Sequence, residues 1–583
     1  MFIMGQTTQS SGKMPIKHGI QIENVNIFQY NEKHTDKSLR VLNTKTHTQT
    51  RRLAMKNYKK LQNGSDIRGV AITGVPGELP NLTADEAADI AGGFIIWLCQ
   101  KLDKKPEDIT LAIGRDPRVS GQHLLDGLMN GFGPYGPKVY DCGMASTPAM
   151  FMATVFPEFQ CDGTVMITAS HLPYNRNGFK FFTAEGGLDK SDIAQILEYA
   201  EDDESGIRNL GEPKNKKGHT LRLGKKVFEA AKGDIMTPYC NHLQELIKVG
   251  VAKGSTLREG AAKAANAKSE RPLAGMKIVV DAGNGGGGFF AKRILAPLGA
   301  DVSASQFLEP DGMFSNHAPN PEDKEAMNSI SMQVISKGAY LGIIFDTDVD
   351  RAAAVDNRGR EIAGNGIVAM AAALIAEDHS GSTVVTDSIT SRQLTEFIER
   401  DLNLKHLRFK RGYKNVINKA QELNEQGIDC QLAIETSGHA AFKENYFLDD
   451  GAYLAAKIVI KAAQLKADAE TIGSILDALQ EPADEKEIRI PITCDNFGAY
   501  GDKILAALEK FVKDNEGLSL AEPNYEGVRI NFPNGWCLLR KSLHDPILPM
   551  NMAADEADGC TVIKQTMEQF LSAYKGLDLS VFE

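Results

Sequence analysis

A serine, a histidine and a lysine share one polar stretch, residues 168–180, at Ser170, His171 and Lys180. It follows an apolar run, residues 163–168, that reads as a buried strand, and it leads into Phe181, Phe182 and a turn at Gly186 and Gly187. Polar loops at strand ends are where rigid scaffolds place chemistry. Ser170 is then a candidate nucleophile, and His171 and Lys180 are candidate proton carriers. Taken alone, the stretch reads equally well as a polar turn built on Pro173 and Gly178.

A second apolar run, residues 338–345, ends in Asp346, Asp348 and Asp350, with Arg351 after them. Three carboxylates at alternate positions face one way on an extended backbone and can wrap an ion on a looped one. Oxygen ligands of this kind suit Mg²⁺, which keeps positions open for a phosphate oxygen. The competing reading is an acidic turn with Arg351 as its counter-ion. Further strand ends carry Arg411 and Lys414 around Gly412, then Glu435 and Ser437, with His439 beyond Gly438. Glu435 and Ser437 are spaced to grip neighbouring sugar hydroxyls. Arg540, Lys541, Ser542 and His544 form a cationic loop that is a plausible phosphate seat. Near the start, Arg68 stands beside Gly69, where guanidinium and backbone can both approach an anion.

The elements that must hold these residues follow one pattern of strand, polar loop and helix, which predicts layered α/β domains. A helix is expected over residues 83–102, with Thr83 and Glu86 in capping-box spacing. Strands are expected over 109–114 and 276–281, and helices over 148–156, 236–249 and 561–575. Residues 205–224 and 252–272, rich in Lys, Gly, Ala and Asn, read as insertions or linkers. Gly283, Gly285 and Gly288 fit the spacing of a dinucleotide fingerprint, but no acid closes a second strand at the usual distance, and a tight turn that lets a helix pack close is favoured. From about Glu487 the strands shorten and alternate as antiparallel strands do.

The chain has 583 residues, too long for one core. A hydrophobic share of 42% and a charged share of 24% are ordinary for a soluble protein. The net charge of −11 argues against a nucleic-acid or membrane-surface partner. No two of the eight cysteines have zinc spacing, so reduced structural thiols are expected. No apolar run reaches the roughly 18 residues of a membrane span. The first sixty residues are basic and polar, and read as a disordered extension or an organellar transit peptide.

The stretch Thr168-Ala169-Ser170-His171, followed by Asn177-Gly178-Phe179-Lys180, together with Asp346-Thr347-Asp348-Val349-Asp350-Arg351, resembles the α-D-phosphohexomutase superfamily. The likeness runs from about Asn63 to the end. It implies an α/β, heart-shaped chain of four domains: three similar α/β domains with mixed sheets and a C-terminal α+β domain, around a central cleft. On that reading residues 1–60 are an extension, 61–255 carry the phosphoserine loop, 273–378 the metal loop, 379–485 the sugar loop and 486–583 the phosphate loop. It implies a phosphoserine at Ser170 and a Mg²⁺ site made by Ser170, Asp346, Asp348 and Asp350. His171, Lys180, Arg68 and Arg351 would serve the phosphoryl group. Gly412, Lys414, Glu435, Ser437 and His439 would bind sugar, and Arg540, Ser542 and His544 would bind phosphate. Asn316 to Glu322 match a recurrent segment of the second domain.

The activity implied is interconversion of hexose 1- and 6-phosphates, by phosphoglucomutase or phosphomannomutase chemistry, with a hexose 1,6-bisphosphate as intermediate and activator. A phosphosugar is the expected partner and a monomer or homodimer the expected state. The expected location is cytoplasmic, or plastid or another organelle if the extension is a transit peptide. Three departures stand out: Leu543 and His544 in the phosphate loop, Ile434 where Gly is common, and no cation in the loop Ser388 to Ser391. They motivate a second reading, a sugar-phosphate-binding paralogue or scaffold without turnover. A metal-dependent phosphatase using Ser170 is a third.

Overall fold

The computed structural model describes residues 57–201, 228–259, 270–542 and 545–582. The proposed extension over residues 1–60 lies almost wholly outside them, as do Leu543 and His544. Four sheets follow one another along the chain. In the first, Gly163–Ile167, Thr110–Arg115 and Lys138–Met144 run parallel, while Arg176–Thr183 and Asp66–Val70 complete one side antiparallel. Gly163–Ile167 is buried at every position, as a parallel strand covered on both faces must be. The capping box forms as expected: Glu86 accepts from the Thr83 backbone N–H at 2.8 Å, and the helix Ala84–Leu102 follows. That helix packs so closely on Lys190–Glu201 that a Cβ on Gly93 would lie 2.3 Å from the Ile196 carbonyl oxygen.

The second sheet sets Ile278–Asp281 parallel to Leu341–Phe345, which then pairs antiparallel with Ala352–Asp356. The three aspartates therefore sit in the turn of a hairpin whose strands are wholly buried. The third sheet places Thr383–Thr386 between Lys405–Arg408 and Cys430–Ile434, all parallel, with Ala440–Phe442 antiparallel at its side. The last sheet, Asp484–Pro491, Ile547–Ala554, Gly535–Leu539, Val528–Phe532 and Ser519–Leu520, is antiparallel throughout. Its own core lies under the helices Phe497–Lys513 and Cys560–Leu571, the second of which stops short of the expected Lys575.

One apolar core runs beneath the second and third sheets and reaches the back of the first through Ala112 and Met166. The apolar run from Ile367 lies there, in the helix Asn365–Ala376. The helix Met236–Glu259 is longer than expected and packs against Gly451–Ala467, with the Gly250 Cβ position 2.6 Å from Ile460 Cδ1. The glycine tract serves close packing. Added Cβ atoms would lie 2.9 Å from the Thr347 backbone at Gly285 and 2.2 Å from the Leu308 carbonyl oxygen at Gly288. All eight cysteines are free thiols. No helix among the described residues is long and apolar enough to cross a membrane.

Candidate active site

Ser170 is held in a left-handed backbone conformation, φ 50°. For a residue with a Cβ that costs about 1–2 kcal/mol, so the surrounding loop must impose it. Arg118 does so. Its guanidinium donates to the carbonyl oxygens of Ser170, Leu172, Pro173 and Arg176, and its Nε to Asp116 Oδ2 at 3.1 Å. Asp116 in turn accepts from Thr168 Oγ1 at 2.7 Å, and Thr168 Oγ1 accepts from the Ser170 backbone N–H at 2.9 Å. The Arg118 and Asp116 side chains are completely buried. Arg118→Met leaves Asp116 buried and unpaired and frees four carbonyls. It should destabilise the protein by about 3–5 kcal/mol, read from denaturant unfolding of the first domain's signal, and lower activity with it.

The acidic turn folds back on this serine. Asp346, Asp348 and Asp350 are buried, and each offers an oxygen within 4.8 Å of the others. Ser170 Oγ donates to Asp346 Oδ2 at 2.9 Å. Asp346 Oδ1 accepts from the Val349 and Arg351 backbone at 3.0 and 3.3 Å, which closes the turn. Asp348 Oδ2 accepts from Thr147 Oγ1 at 2.6 Å, and the Thr147 N–H meets the Asp348 carbonyl at 2.8 Å, joining the first sheet's helix to the turn. Lys180 Nζ pairs with Asp348 at 3.1 Å and also with Asp350. Burial, then Asp350 and Asp348, raise the Asp346 carboxyl well above its ordinary range. Burial acts the same way on Asp350, but Lys180, His439 and Arg351 more than offset it and hold that carboxyl low. Asp348 Oδ1 and Asp350 Oδ1 are buried without a hydrogen-bond partner. An all-oxygen donor set with two buried orphan oxygens fits a hard divalent cation.

Arg351 Nη2 donates to Ser170 Oγ at 3.1 Å and to His171 Nδ1. His171 Nδ1 lies 3.4 Å from Ser170 Oγ. Burial, then the Arg351 and Arg68 charges, push the imidazole down to about 2, so it stays neutral and accepts from Arg351. Arg68 pairs with Asp66 at 2.7 Å and keeps a buried Nη1 without a partner. The residues around the serine are thus brought together from the first two sheets.

The third sheet arrives edge-on. Arg351 and His439 form an isolated antiparallel bridge, and a Cβ on Gly438, φ 93°, would lie 2.6 Å from the Ala352 carbonyl oxygen. Only glycine fits there. Glu435 Oε1 accepts from the Gly412 N–H at 2.6 Å, and Ser437 is buried beside it in sequence. His439 pairs with Asp449 and stacks on Tyr413 at 5.2 Å. Tyr413 reaches Asp66 at 3.1 Å and Ser65 at 3.0 Å through its hydroxyl, and its ring lies under Lys180. Lys414 turns toward Asp189, 3.6 Å away, at a cavity that also contains Lys180 and Asp350. Arg540 Nε is buried without a hydrogen-bond partner, and Ser542 Oγ accepts from the Asp545 N–H at 3.2 Å. His544 lies outside the described residues. Reasoning from sequence did not assign roles to Arg118, Thr147 or Tyr413. It also passed over Arg529, which donates to the Ser388 and Thr390 carbonyls at 2.6 and 3.0 Å and thereby fixes the loop noted for lacking a cation.

Comparison with known proteins bears on this arrangement. Three family models match in order: phosphoglucomutase/phosphomannomutase, alpha/beta/alpha domain I over residues 59–206, domain II over 257–359 and domain III over 363–481. A phosphomannomutase/phosphoglucomutase of Pseudomonas aeruginosa is 30% identical over 464 residues, covering 79% of this chain and 87% of that one. A phosphoglucomutase/phosphomannomutase of Thermococcus kodakarensis is 29% identical over 472 residues, covering 80% and 90%. In fold, the chain is similar to a phosphoglucomutase/phosphomannomutase family protein from Burkholderia thailandensis. The TM-score is 0.67 at 24% identity, over 88% of this chain and 97% of that one.

Proposed function

This chain belongs to the phosphoglucomutase/phosphomannomutase family, and from that premise we propose that it moves a phosphoryl group between the 1- and 6-positions of glucose or mannose through a phosphorylated Ser170. The observation that carries the reading is one contact set. The Ser170 hydroxyl lies 2.9 Å from Asp346 and 3.1 Å from Arg351, at the meeting of two domains. Phosphoryl transfer needs in-line positioning and charge neutralisation more than special side chains.

In the first half-reaction a sugar hydroxyl oxygen bonds to phosphorus and the Ser170 Oγ–P bond breaks. The hydroxyl loses its proton and Ser170 Oγ gains one. We assign the relay to Lys180, whose ammonium gives a proton to Ser170 Oγ as the Oγ–P bond breaks and is restored by the proton leaving the sugar hydroxyl. Burial works against its charge, but Asp348 and Asp350 more than offset that and keep the ammonium protonated. Arg351 and Arg68 add positive field at the serine. Asp346, Asp348 and Asp350 would hold a Mg²⁺ ion, which when bound supplies charge neutralisation to the transferring oxygens. The hexose 1,6-bisphosphate then turns over, and its other phosphate returns to Ser170 by the same exchange. The fixed distal phosphate is the handle that positions the reacting end.

Phosphopeptide mapping, followed by coupled assays with glucose 1-phosphate and mannose 1-phosphate, tests the proposal. Phosphate on Ser170 and production of hexose 6-phosphate are the expected results. Tight binding without turnover, or inorganic phosphate released in step with substrate loss, would replace it with the paralogue or the phosphatase reading.

The sugar grip should be pH-dependent. Burial, then the Asp387 charge, push the Glu435 carboxyl up to about 7. The ionised form is the better acceptor for sugar hydroxyls. The kcat/KM is therefore expected to rise between about pH 6 and 8, because the acceptor form fills as pH climbs through this raised value. Glu435→Gln should be weaker throughout and lose that inflection, which separates it from titration of the substrate phosphate.

A further inference from the structure

The segment from Asn316 to Glu322 has no part in the reaction as described, yet it touches the site twice. Asn320 Oδ1 and Glu322 Oε2 accept from Arg351 Nη1 at 3.3 and 3.2 Å. The other Glu322 oxygen, Oε1, accepts from Arg411 Nη2 at 3.2 Å. One carboxylate thus joins the guanidinium on the nucleophile to a guanidinium in the sugar loop. Arg411 has further acidic neighbours: its Nε is 4.0 Å from Asp387 Oδ2, and its backbone N–H donates to Glu526 Oε2 at 3.1 Å. Glu526 comes from the fourth domain and also accepts from Ser388 Oγ at 2.5 Å. Arg540, from the same domain, stands beside Glu526 in the fold: a Cβ on the adjacent Gly527 would lie 2.8 Å from Arg540 Cα. Burial lowers the proton affinity of Arg540, Glu526 raises it, and Arg411 lowers it again.

The two arginines thus come from different domains to the neighbourhood of one carboxylate, Glu526, and guanidiniums gathered in this way form a seat for an anion. Glu322 serves only one of them, and Arg540 keeps a buried Nε unpartnered. Carboxylate and phosphate present the same two-oxygen face to an arginine fork. We propose that Arg411 is a phosphate-binding residue acting with Arg540 on the non-reacting phosphate, and that Glu322 is an internal carboxylate that competes with that phosphate for Arg411. The inference rests on the phosphosugar reading above. It gives the domain interface a consequence: substrate phosphate draws Arg411 away from the second domain and toward the fourth.

Opposite signs test it. In the full chain, Arg411→Gln should raise KM for glucose 1-phosphate by about tenfold or more, with kcat within about threefold, and weaken inorganic phosphate in calorimetry. Glu322→Gln should tighten inorganic phosphate by about threefold, and that gain should vanish in the Arg411→Gln background. If Arg411 merely braced the fold, the two variants would shift in the same direction, since each breaks the same ion pair. Unchanged phosphate affinity in Arg411→Gln, or a Glu322→Gln gain that survives without Arg411, would overturn the proposal. Absence of mutase turnover in the wild type would remove the functional reading instead, while the phosphate titrations would still decide on Arg411.

Discussion

Replacing Ser170 with alanine is expected to leave less than about a hundredth of the mutase activity. The loss should fall on kcat, because the hydroxyl is the atom that takes and gives the phosphoryl group. Its neighbours stay in place: Arg118 grips the loop through carbonyl oxygens, which the substitution does not touch. Alanine carries the same left-handed strain as serine, whereas glycine relieves it. Ser170→Gly should therefore melt no lower than Ser170→Ala while being equally inactive. That pair separates chemistry from conformation. A coupled assay gives kcat, thermal unfolding gives the comparison, and phosphopeptide mapping should find no phosphate at position 170. Substantial turnover by either variant would show that the phosphoryl group is carried elsewhere.

What could be read from sequence, and what could not, divides along a physical line. Ser170 and the three aspartates follow apolar strands directly, so local pattern locates both the element and the loop that ends it; Lys180, expected in the loop after Ser170, instead lies inside the next strand, Arg176–Thr183, paired with Met166. Glu435 and Ser437 are legible for the same reason. The Arg118 clamp is not, because its partners are backbone carbonyls, and any sequence supplies those. Tyr413 reaches Asp66 across 347 residues, and Thr147 reaches Asp348 across 201, so neither pairing has a local signature. The glycines from Gly283 onward mimic a nucleotide fingerprint because both situations demand close backbone approach. Here the approaching backbone is Thr347, in the acidic turn itself. The pairing of Glu322 with Arg411 also depends on how the second and third domains meet, which no single stretch encodes.

Asp346→Asn is expected to abolish most activity without destabilising the protein. Function should fall on the order of a hundredfold or more, because a charged oxygen is lost from the cation site and from the Ser170 hydroxyl together. Stability should move the other way. Burial, and after it the charges of Asp350 and Asp348, disfavour the ionised form of Asp346 in the folded chain. Asparagine removes one of three buried like charges, yet its carbonyl can still accept from the Val349 and Arg351 backbone. The opposing cost is the lost ion pair with Arg351, 3.5 Å from its Nε, which is offset because Arg351 retains Asp350 and Glu322. In chelator the variant should unfold at or above the wild-type temperature. Added Mg²⁺ should raise the melting point of the wild type in proportion to its binding, but not that of the variant. A variant that is inactive and also unfolds earlier in chelator would mean that Asp346 braces the turn. A variant that still gains stability from Mg²⁺ would mean the ion is held by other groups, and the convergence of Ser170 with the acidic turn would then lose its chemical purpose.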